Sequence, residues 1–381
     1  MSKRPLLLFV VTEDWYFCSH RLPMARAARA AGFDVAVATR VNRHGATIEA
    51  EGFRLFPLRE LHRQGKNPLQ ELKAIAELRA LYRRERPDLV HHVAMKPVLY
   101  GSLAARLAGV GKVVNAMAGL GFVFTARSLK ARILKPVISA AFRFLLRRQG
   151  SVLLVQNKDD RQHFLDAGLV PAQAVTLIPG SGVDISAFTP TPEPPGTPVA
   201  LFVGRLLWDK GLGELVAAAR LVRDSGVPLR VQIAGDRDPA NPACIPETVL
   251  AGWAEEGVVE FLGRRNDIAT LWAGAHIAVL PSYREGMPKS LLEAAACARP
   301  LISTNVPGCR ALVQDGENGL LVPARDARAL AQALQRLADD PDLRREMGAV
   351  ARQQAETIYS EQAVGAAVVA LYSGLLKGER G

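Results

Sequence analysis

Two tandem α/β domains, each a doubly wound parallel sheet, are the fold class that this 381-residue sequence predicts. Three observations carry it. Short apolar runs alternate with helix-patterned stretches through both halves of the chain. The length exceeds the roughly 250 to 300 residues at which a single core stops growing. Finally, TPTPEPPGTP, residues 189–198, places five prolines in ten positions and interrupts the alternation near the middle.

Residues 1–188 form the first predicted domain. PLLLFVV and DVAVATR read as buried strands, and the amphipathic stretch SHRLPMARAARAAG between them reads as a helix with Gly32 at its C-cap, which makes a βαβ unit. DLVHHVAM, KVVNAMA, SVLLVQN and AVTLIPG continue the pattern, and such near-continuous apolar runs belong to a parallel sheet covered on both faces. The opening MSKRPLLLFVVTEDWYF reads as a first strand and not a signal peptide, because Glu13 and Asp14 follow a short apolar run at once. No apolar run reaches the length of a conventional transmembrane helix.

The proline-rich segment 189–198 suits neither helix nor central strand and is read as a stiff linker. Beyond it, PVALFVG, LRVQIAG, VVEFLG, HIAVLPS and PLISTNV define a second domain of the same kind, residues 199–360. SEQAVGAAVVALYSGLL predicts a helix, within 361–381, that packs back toward the first domain.

At 49% hydrophobic and 22% charged residues, the composition is that of a folded globular protein. The formal net charge of +11 is uneven: residues 1–190 hold 28 Lys and Arg against 14 Asp and Glu, whereas the remainder holds 20 against 23. An anionic partner for the first half follows, whether nucleic acid, acidic membrane surface or phosphorylated substrate. Four cysteines without a CxxC pair signal neither a zinc ribbon nor a disulfide framework and point to a reducing compartment.

In doubly wound sheets ligands bind beyond the carboxyl ends of the strands. LFVGRLLWDKG places Gly204 and Arg205 at such an end, with Lys210 and Gly211 opening the next helix. Two cations near a helix N-terminus suit a diphosphate; the alternative is a surface turn with two solvated cations. VLPSYREGMPKSLLEAAACARP runs from a strand through Glu285 into a helix whose first turn contains Pro288, so the amides from Gly286 to Ser290 face whatever lies outside the strand end. Glu293 lies more than a turn inside that helix. It can meet the far end of an elongated ligand or pair with Lys289 on the helix surface.

The Glu285 and Glu293 spacing with its glycine and proline, VGRL and DKG before it, and NVPGCRALVQDGENGLLV after it resemble the retaining glycosyltransferases of the GT-B fold, in the large group-one family. The likeness spans nearly the whole chain, and SGVDISAFTP is similar to that family's interdomain crossover. HHVAMKP, GLGFVFT, AGDRDPANPAC and LPSYREGMPKSLLEA resemble, more narrowly, bacterial N-acetylgalactosaminyltransferases that build glycans on undecaprenyl diphosphate.

The resemblance implies two Rossmann-like domains facing a cleft, the first for acceptor and the second for a nucleotide sugar. Gly204, Arg205 and Lys210 then match the residues that hold the donor diphosphate. Glu293 matches the carboxylate on the ribose hydroxyls, and Glu285, with Gly286, Met287, Pro288, Lys289 and Ser290, matches the position that contacts sugar and phosphate. Arg264 and Ile268, within LGRRNDI, fall where the family grips the base. Two departures stand out: TEDWYFCSHRLP replaces the relatives' first glycine-rich loop, and NAMAGLGF lacks their later histidine. His20, His91, His92, Lys96 and Gly119 are therefore the first domain's candidates for substrate contact, although a lone histidine is more often structural. The cations and helix N-terminus neutralise a diphosphate, so neither metal nor cofactor is expected. The two carboxylates of DRD, residues 236–238, are too few to define a metal site.

ARSLKARILKPVISAAFRFLLRRQG, residues 126–150, holds seven cations and no acid. Pro136 is expected to split it into a basic segment and a helix. Its stripe of Val137, Ile138, Ala141, Phe142 and Leu145 is expected to lie in a membrane interface, with Arg143, Arg147 and Arg148 at the headgroups. The alternative is a core helix whose arginines reach out to water.

The expectation is a metal-independent retaining transferase that moves a hexosamine, GalNAc in α-1,3 linkage, from a UDP-sugar to a polyprenyl-diphosphate-linked acceptor. It would work in the cytoplasm, peripherally on the inner face of the cell membrane. Alternatives are a UDP-glucose, UDP-GlcNAc or UDP-galactose donor, or a UDP-sugar epimerase. Nucleic acid is not an expected partner, because no RNA-binding signature or aromatic-rich basic strand is present. No G-x-G-x-x-G follows a strand and no P-loop occurs, which disfavours NAD and P-loop chemistry.

Overall fold

The computed structural model describes residues 4–63, 67–117 and 129–378, with side chains described outside 129–135. The chain divides into two compact units, Met1–Gly182 with Glu361–Gly381, and Val183–Ser360.

The first unit is built on seven parallel strands, β1 (Leu6–Glu13), β2 (Asp34–Arg40), β3 (Arg54–Pro57), β4 (Leu89–Val93), β5 (Lys112–Met117), β6 (Ser151–Val155) and β7 (Val175–Leu177). Their order is β3-β2-β1-β4-β5-β6-β7. β1 is central because Leu6 through Val11 are apolar throughout and buried on both faces, with Phe9 in register with Val37 on one side and His91 on the other. β3 escapes the sequence pattern: RLFP is a short, half-exposed edge strand without an apolar run.

The helix expected over SHRLPMARAARAAG is two helices, Asp14–His20 and Leu22–Ala30, parted at Arg21; Gly32, at φ 94°, follows the cap residue Ala31. The helix Glu361–Lys377 belongs to this unit and packs on Leu22–Ala30, with Val364, Val368 and Tyr372 joining the core that holds Phe9, Phe17 and Phe33.

Two expectations for the basic stretch need correction. Helix Leu129–Leu146 runs through Pro136 without a break. Its stripe is also turned inward: Phe142 and Leu146 are buried with Met117, Leu153 and Phe164, and Ile138 packs against the same cluster. That burial offsets the hydrogen bond lost at proline and uses the face assigned to a membrane. Val137 and Phe144, 64% and 57% exposed, are the helix's exposed large hydrophobics among the described residues. Among the described residues no helix is long and apolar enough to cross a membrane.

The second unit holds six parallel strands, β8 (Val199–Val203), β9 (Arg230–Ala234), β10 (Glu260–Gly263), β11 (Ile277–Leu280), β12 (Leu301–Thr304) and β13 (Gly319–Val322), in the order β10-β9-β8-β11-β12-β13. It begins at Val183, ahead of the proline-rich segment. That segment, expected as a stiff linker, is fastened to the second unit's own surface. Arg344 forks onto the Glu193 carboxylate at 2.8 and 2.9 Å, Arg299 donates to Thr191 Oγ1 at 2.7 Å, and His276 Nε2 donates to the Pro194 carbonyl at 2.9 Å. Arg299 and Arg344 are buried, so the strap supplies acceptors that they need.

Candidate functional site

In the second unit the strand order reverses between β8 and β11, which puts the crevice of a doubly wound sheet beyond Val203 and Leu280. Gly204 N–H donates to the Ala234 carbonyl at 3.0 Å, and Gly235 N–H to the Gly263 carbonyl at 2.9 Å, so the ends of β8, β9 and β10 form one bonded rim. Arg205 rises from that rim, 45% exposed, with Nη1 donating to Asp238 Oδ2 at 2.7 Å.

Two close approaches bring the loops together. Gly211, at φ 72°, caps the helix Leu212–Asp224, and a Cβ there would lie 2.0 Å from the Pro281 carbonyl oxygen. Gly308, at φ 83°, lies so close to the loop after β11 that a Cβ would stand 2.5 Å from the carbonyl oxygens of both Glu285 and Gly286. Only glycine fits either place without displacing backbone. The loops after β8, β11 and β12 are thereby held at fixed spacing around one point.

At that point Lys210 Nζ pairs with Glu285 Oε1, which also accepts from Ser282 Oγ at 2.7 Å. Tyr283 N–H donates to the Asp209 carbonyl at 2.9 Å, and its hydroxyl donates to Glu214 at 2.7 Å, while the Arg325 guanidinium covers its ring at 4.0 Å. Thr304 Oγ1 donates to the Ser282 carbonyl. Cys309 lies beneath, and burial, with Glu285 adding to it, pushes its thiol up to about 12, so it stays neutral.

The chain then enters the helix Lys289–Ala296 with Pro288 as the N-cap residue, one position earlier than the first turn expected for it. No side chain caps this end and its first turn holds no acid, so its leading N–H groups lack intrahelical partners and favour an anion. Met287 packs partly into the core beneath, and Ser290 is half-buried in the first turn. Glu293 is 8% exposed. Burial holds its carboxyl above the usual carboxylate range against the pull of Lys289, whose Nζ is 3.6 Å away. The i,i+4 pair exists, yet it is not a surface pair, because the carboxylate is inside.

Farther along the rim, exposed Arg264 follows β10, and Ile268 opens the helix Ile268–Ala273 with its side chain partly in the core.

The first unit's candidates separate. His92 is wholly buried, with Nε2 bonded to the Tyr82 hydroxyl and Nδ1 to Asn115 Oδ1, both at 2.9 Å, so it is a structural residue and not a substrate contact. His91, on the opposite face of β4, is equally buried, stacked on Phe9 and bonded through Nδ1 to the Tyr372 hydroxyl at 2.5 Å, which removes it from any ligand surface too. Their place inside DLVHHVAM, a run read as a strand covered on both faces, was the available sign that these rings lie inside. Lys96 follows β4 and spends its ammonium on Glu71 at 2.8 Å and the His62 carbonyl at 3.0 Å. His20 ends the first helix, half-buried, stacked on Tyr16 and bonded to Ser19. Gly119 lies outside the described residues.

Sequence reasoning missed Asp14. It is fully buried, and its Oδ2 accepts from the N–H groups of Asn42, Arg43 and His44 at 2.7 to 2.9 Å. Burial raises its carboxyl but these backbone donors outweigh it, and the net displacement is downward. An acid directly after an apolar strand was the available signal. Ser282, Tyr283 and Gly308 were also passed over as site residues, and only the turn-forming PG of NVPGC hinted at the last.

The family described as Glycosyl transferases group 1 matches residues 197–340, and Glycosyl transferase 4-like matches residues 6–157. The chain is similar to the N,N'-diacetylbacillosaminyl-diphospho-undecaprenol alpha-1,3-N-acetylgalactosaminyltransferase of Campylobacter jejuni, at 25% identity over 94% of this chain and 95% of that protein. It is also similar to the UDP-Gal:alpha-D-GlcNAc-diphosphoundecaprenol alpha-1,3-galactosyltransferase of Escherichia coli, at 28% identity over 71% of this chain and 72% of that one. Among solved structures, a sucrose-phosphate synthase from Thermosynechococcus elongatus superposes with a TM-score of 0.82, 23% identity, and coverage of 98% and 100% of the two chains.

Proposed function

Because the chain belongs to the group 1 glycosyltransferases, retaining enzymes of the GT-B fold that use nucleotide sugars, we propose that it transfers a hexosamine, GalNAc in α-1,3 linkage, from UDP to a polyprenyl-diphosphate-linked sugar. One observation carries the donor half of this reading. The loops after β8 and β11, at the switch point where doubly wound sheets bind ligands, carry Arg205, Lys210, the helix N-terminus at Lys289 and buried Glu293, a set whose chemistry suits a diphosphate and a ribose. The acceptor half rests on the near full-length likeness to a transferase that acts on a diphospho-undecaprenol substrate.

In this reading Arg205 and Lys210 take the diphosphate with the first-turn amides, and Glu293 accepts the ribose hydroxyls. Glu285 orients the transferred sugar, and Arg264 and Ile268 flank the base. The acceptor hydroxyl attacks the anomeric carbon on the face that UDP leaves. As the bond from that carbon to the phosphate oxygen breaks, the new glycosidic bond forms and the hydroxyl proton passes to the departing β-phosphate. Once Arg205 and Lys210 have exchanged their carboxylate partners for the diphosphate, the negative charge that grows on the leaving phosphate is met by these cations and the first-turn amides.

The first unit takes the acceptor, and the basic surface around Arg143 and Arg147, with exposed Val137 and Phe144, meets an anionic membrane from the cytoplasmic side. The outer face of helix Leu129–Leu146, not its buried stripe, is the contact. A galactose donor is the second reading, favoured by the likeness to the Escherichia coli galactosyltransferase.

The test is a panel of UDP-sugars offered with lipid-linked acceptors to the purified chain. GalNAc transfer that depends on Arg205 is expected. Unchanged turnover in Arg205→Ala, or conversion of a UDP-sugar without acceptor, would overturn the assignment.

A further inference from the structure

A cavity of about 370 Å³ lies in the first unit where β5, β6 and β7 begin, at the end of the sheet opposite the strand ends that host ligands in doubly wound folds. Lys112, Arg147 and Arg148 line it, together with the Thr176 hydroxyl, and among the described residues no Asp or Glu lines it. Among the described residues no carboxylate pairs with any of these three cations. Arg148 is anchored by a bond to the Val110 carbonyl, and burial, with nearby Arg106 adding to it, disfavours its charge. The opposite wall is apolar: Leu371 and Leu375 of the helix Glu361–Lys377 face the cations across the cavity.

We propose that this cavity binds the phosphate group of an anionic ligand. Three cations around one concavity, without a carboxylate partner among the described residues and with a hydroxyl donor beside them, match an anion carrying several acceptor oxygens. A volume of this size accommodates a small headgroup, and the Leu371 and Leu375 wall receives whatever apolar chain the phosphate carries. The cations would otherwise repel one another across a partly desolvated space, so occupancy relieves a charge excess built into the fold. The proposal does not depend on which sugar the enzyme transfers.

The phosphate has two possible sources, a lipid headgroup or a soluble ester, and binding to the full chain distinguishes them. One arm titrates inorganic phosphate and glycerol 3-phosphate by calorimetry. The other floats the chain with phosphatidylcholine vesicles prepared with and without phosphatidylglycerol. Lys112→Ala with Arg147→Ala is expected to weaken the productive arm about tenfold or more. A control removing exposed Arg59 and Arg83 leaves the same net charge and is expected to change it less than about twofold. Because Lys112 begins a strand, exposed Arg147→Ala alone serves as the second variant, with near-ultraviolet dichroism confirming its fold. Loss in the soluble arm assigns the cavity to a phosphate ester, and loss in the vesicle arm alone, larger than that of Arg143→Ala on the proposed membrane face outside the cavity, assigns it to a lipid headgroup, whereas vesicle loss no larger than that of Arg143→Ala refutes the cavity. Equal loss in the Arg59 and Arg83 control, or no phosphate-dependent binding in either arm, refutes the cavity as a site.

Discussion

Lys210 and Glu285 join the loop after β8 to the loop after β11, and the Glu285 oxygen that takes the lysine proton also takes the Ser282 hydroxyl, 2.7 Å away. In the proposed donor site the lysine thus meets an incoming diphosphate already engaged. Binding must exchange a carboxylate partner for a phosphate one.

The variants at the two ends of this pair should therefore differ in kind. Lys210→Ala removes a donor aimed at the leaving phosphate and is expected to lower turnover about 100- to 1000-fold. Glu285→Gln keeps an oxygen for Ser282 but releases the lysine, so UDP should bind several-fold tighter while turnover falls. Calorimetry with UDP checks this, and weaker UDP binding in Glu285→Gln would show that the pair is not a competitor for the diphosphate.

Glu293 gives the site a pH dependence whose sign can be worked out. Its folded carboxyl is held above the ordinary value of 4.5 by burial, so the folded state keeps a proton that the unfolded state has lost. The stability this contributes is fully present below 4.5 and disappears as pH rises through the folded value. Ribose hydroxyls require the ionised form, so UDP affinity should rise over the same window in which the free protein loses stability. Melting temperature and UDP affinity measured in parallel are expected to move in opposite directions, and Glu293→Gln should flatten both. A variant with the wild-type pH profile would remove Glu293 from the ribose.

His92 is expected to matter for folding alone. Its pKa is lowered from 6.5 to about 4 by burial, the Asn115 bond acting the other way, and His91 is displaced in the same direction by burial. The stability of the neutral rings is present above 6.5 and is lost as pH falls toward 4, because only the unfolded chain takes up protons there. For His92 this amounts to about 3 kcal/mol at most. His92→Ala should depress the melting temperature, with KM for the donor unchanged. A raised KM with an unaltered melting temperature would return His92 to the site.

The proposed donor side is written in consecutive residues. Gly204 through Gly211 and Glu285 through Glu293 each follow a strand and open a helix, so local chemistry marks them as candidates before any fold is known. The first unit is different, because what matters there is which face of a strand a side chain takes. His91 and His92 look alike in sequence and go to opposite sides of β4, each into a separate core cluster. The stripe on Leu129–Leu146 shows the same limit: periodicity reports that one face is apolar, and says nothing about whether core or lipid will cover it. The strap at 189–198 needed partners more than a hundred residues away, Arg299 and Arg344, which no local pattern connects to it.

The same contrast between local and distant demands separates two glycines. Gly308 and Gly316 both sit at φ near 80°, so alanine at either is strained, and more so at Gly308, whose ψ of −48° lies outside the left-handed helical well. Their surroundings differ. A Cβ at Gly316 meets nothing within 4 Å, whereas one at Gly308 stands 2.5 Å from the Glu285 and Gly286 carbonyl oxygens. Gly308→Ala must therefore push the loop after β11 outward and take Glu285 and the helix N-terminus with it, and a displacement near 1 Å is enough to lower turnover about 100-fold. Gly316→Ala should share the loss of stability and keep its turnover. Melting curves and initial rates on the two variants decide the matter: a similar fall in turnover for both would mean that strain, and not the packing of Gly308 against the loop, governs the site.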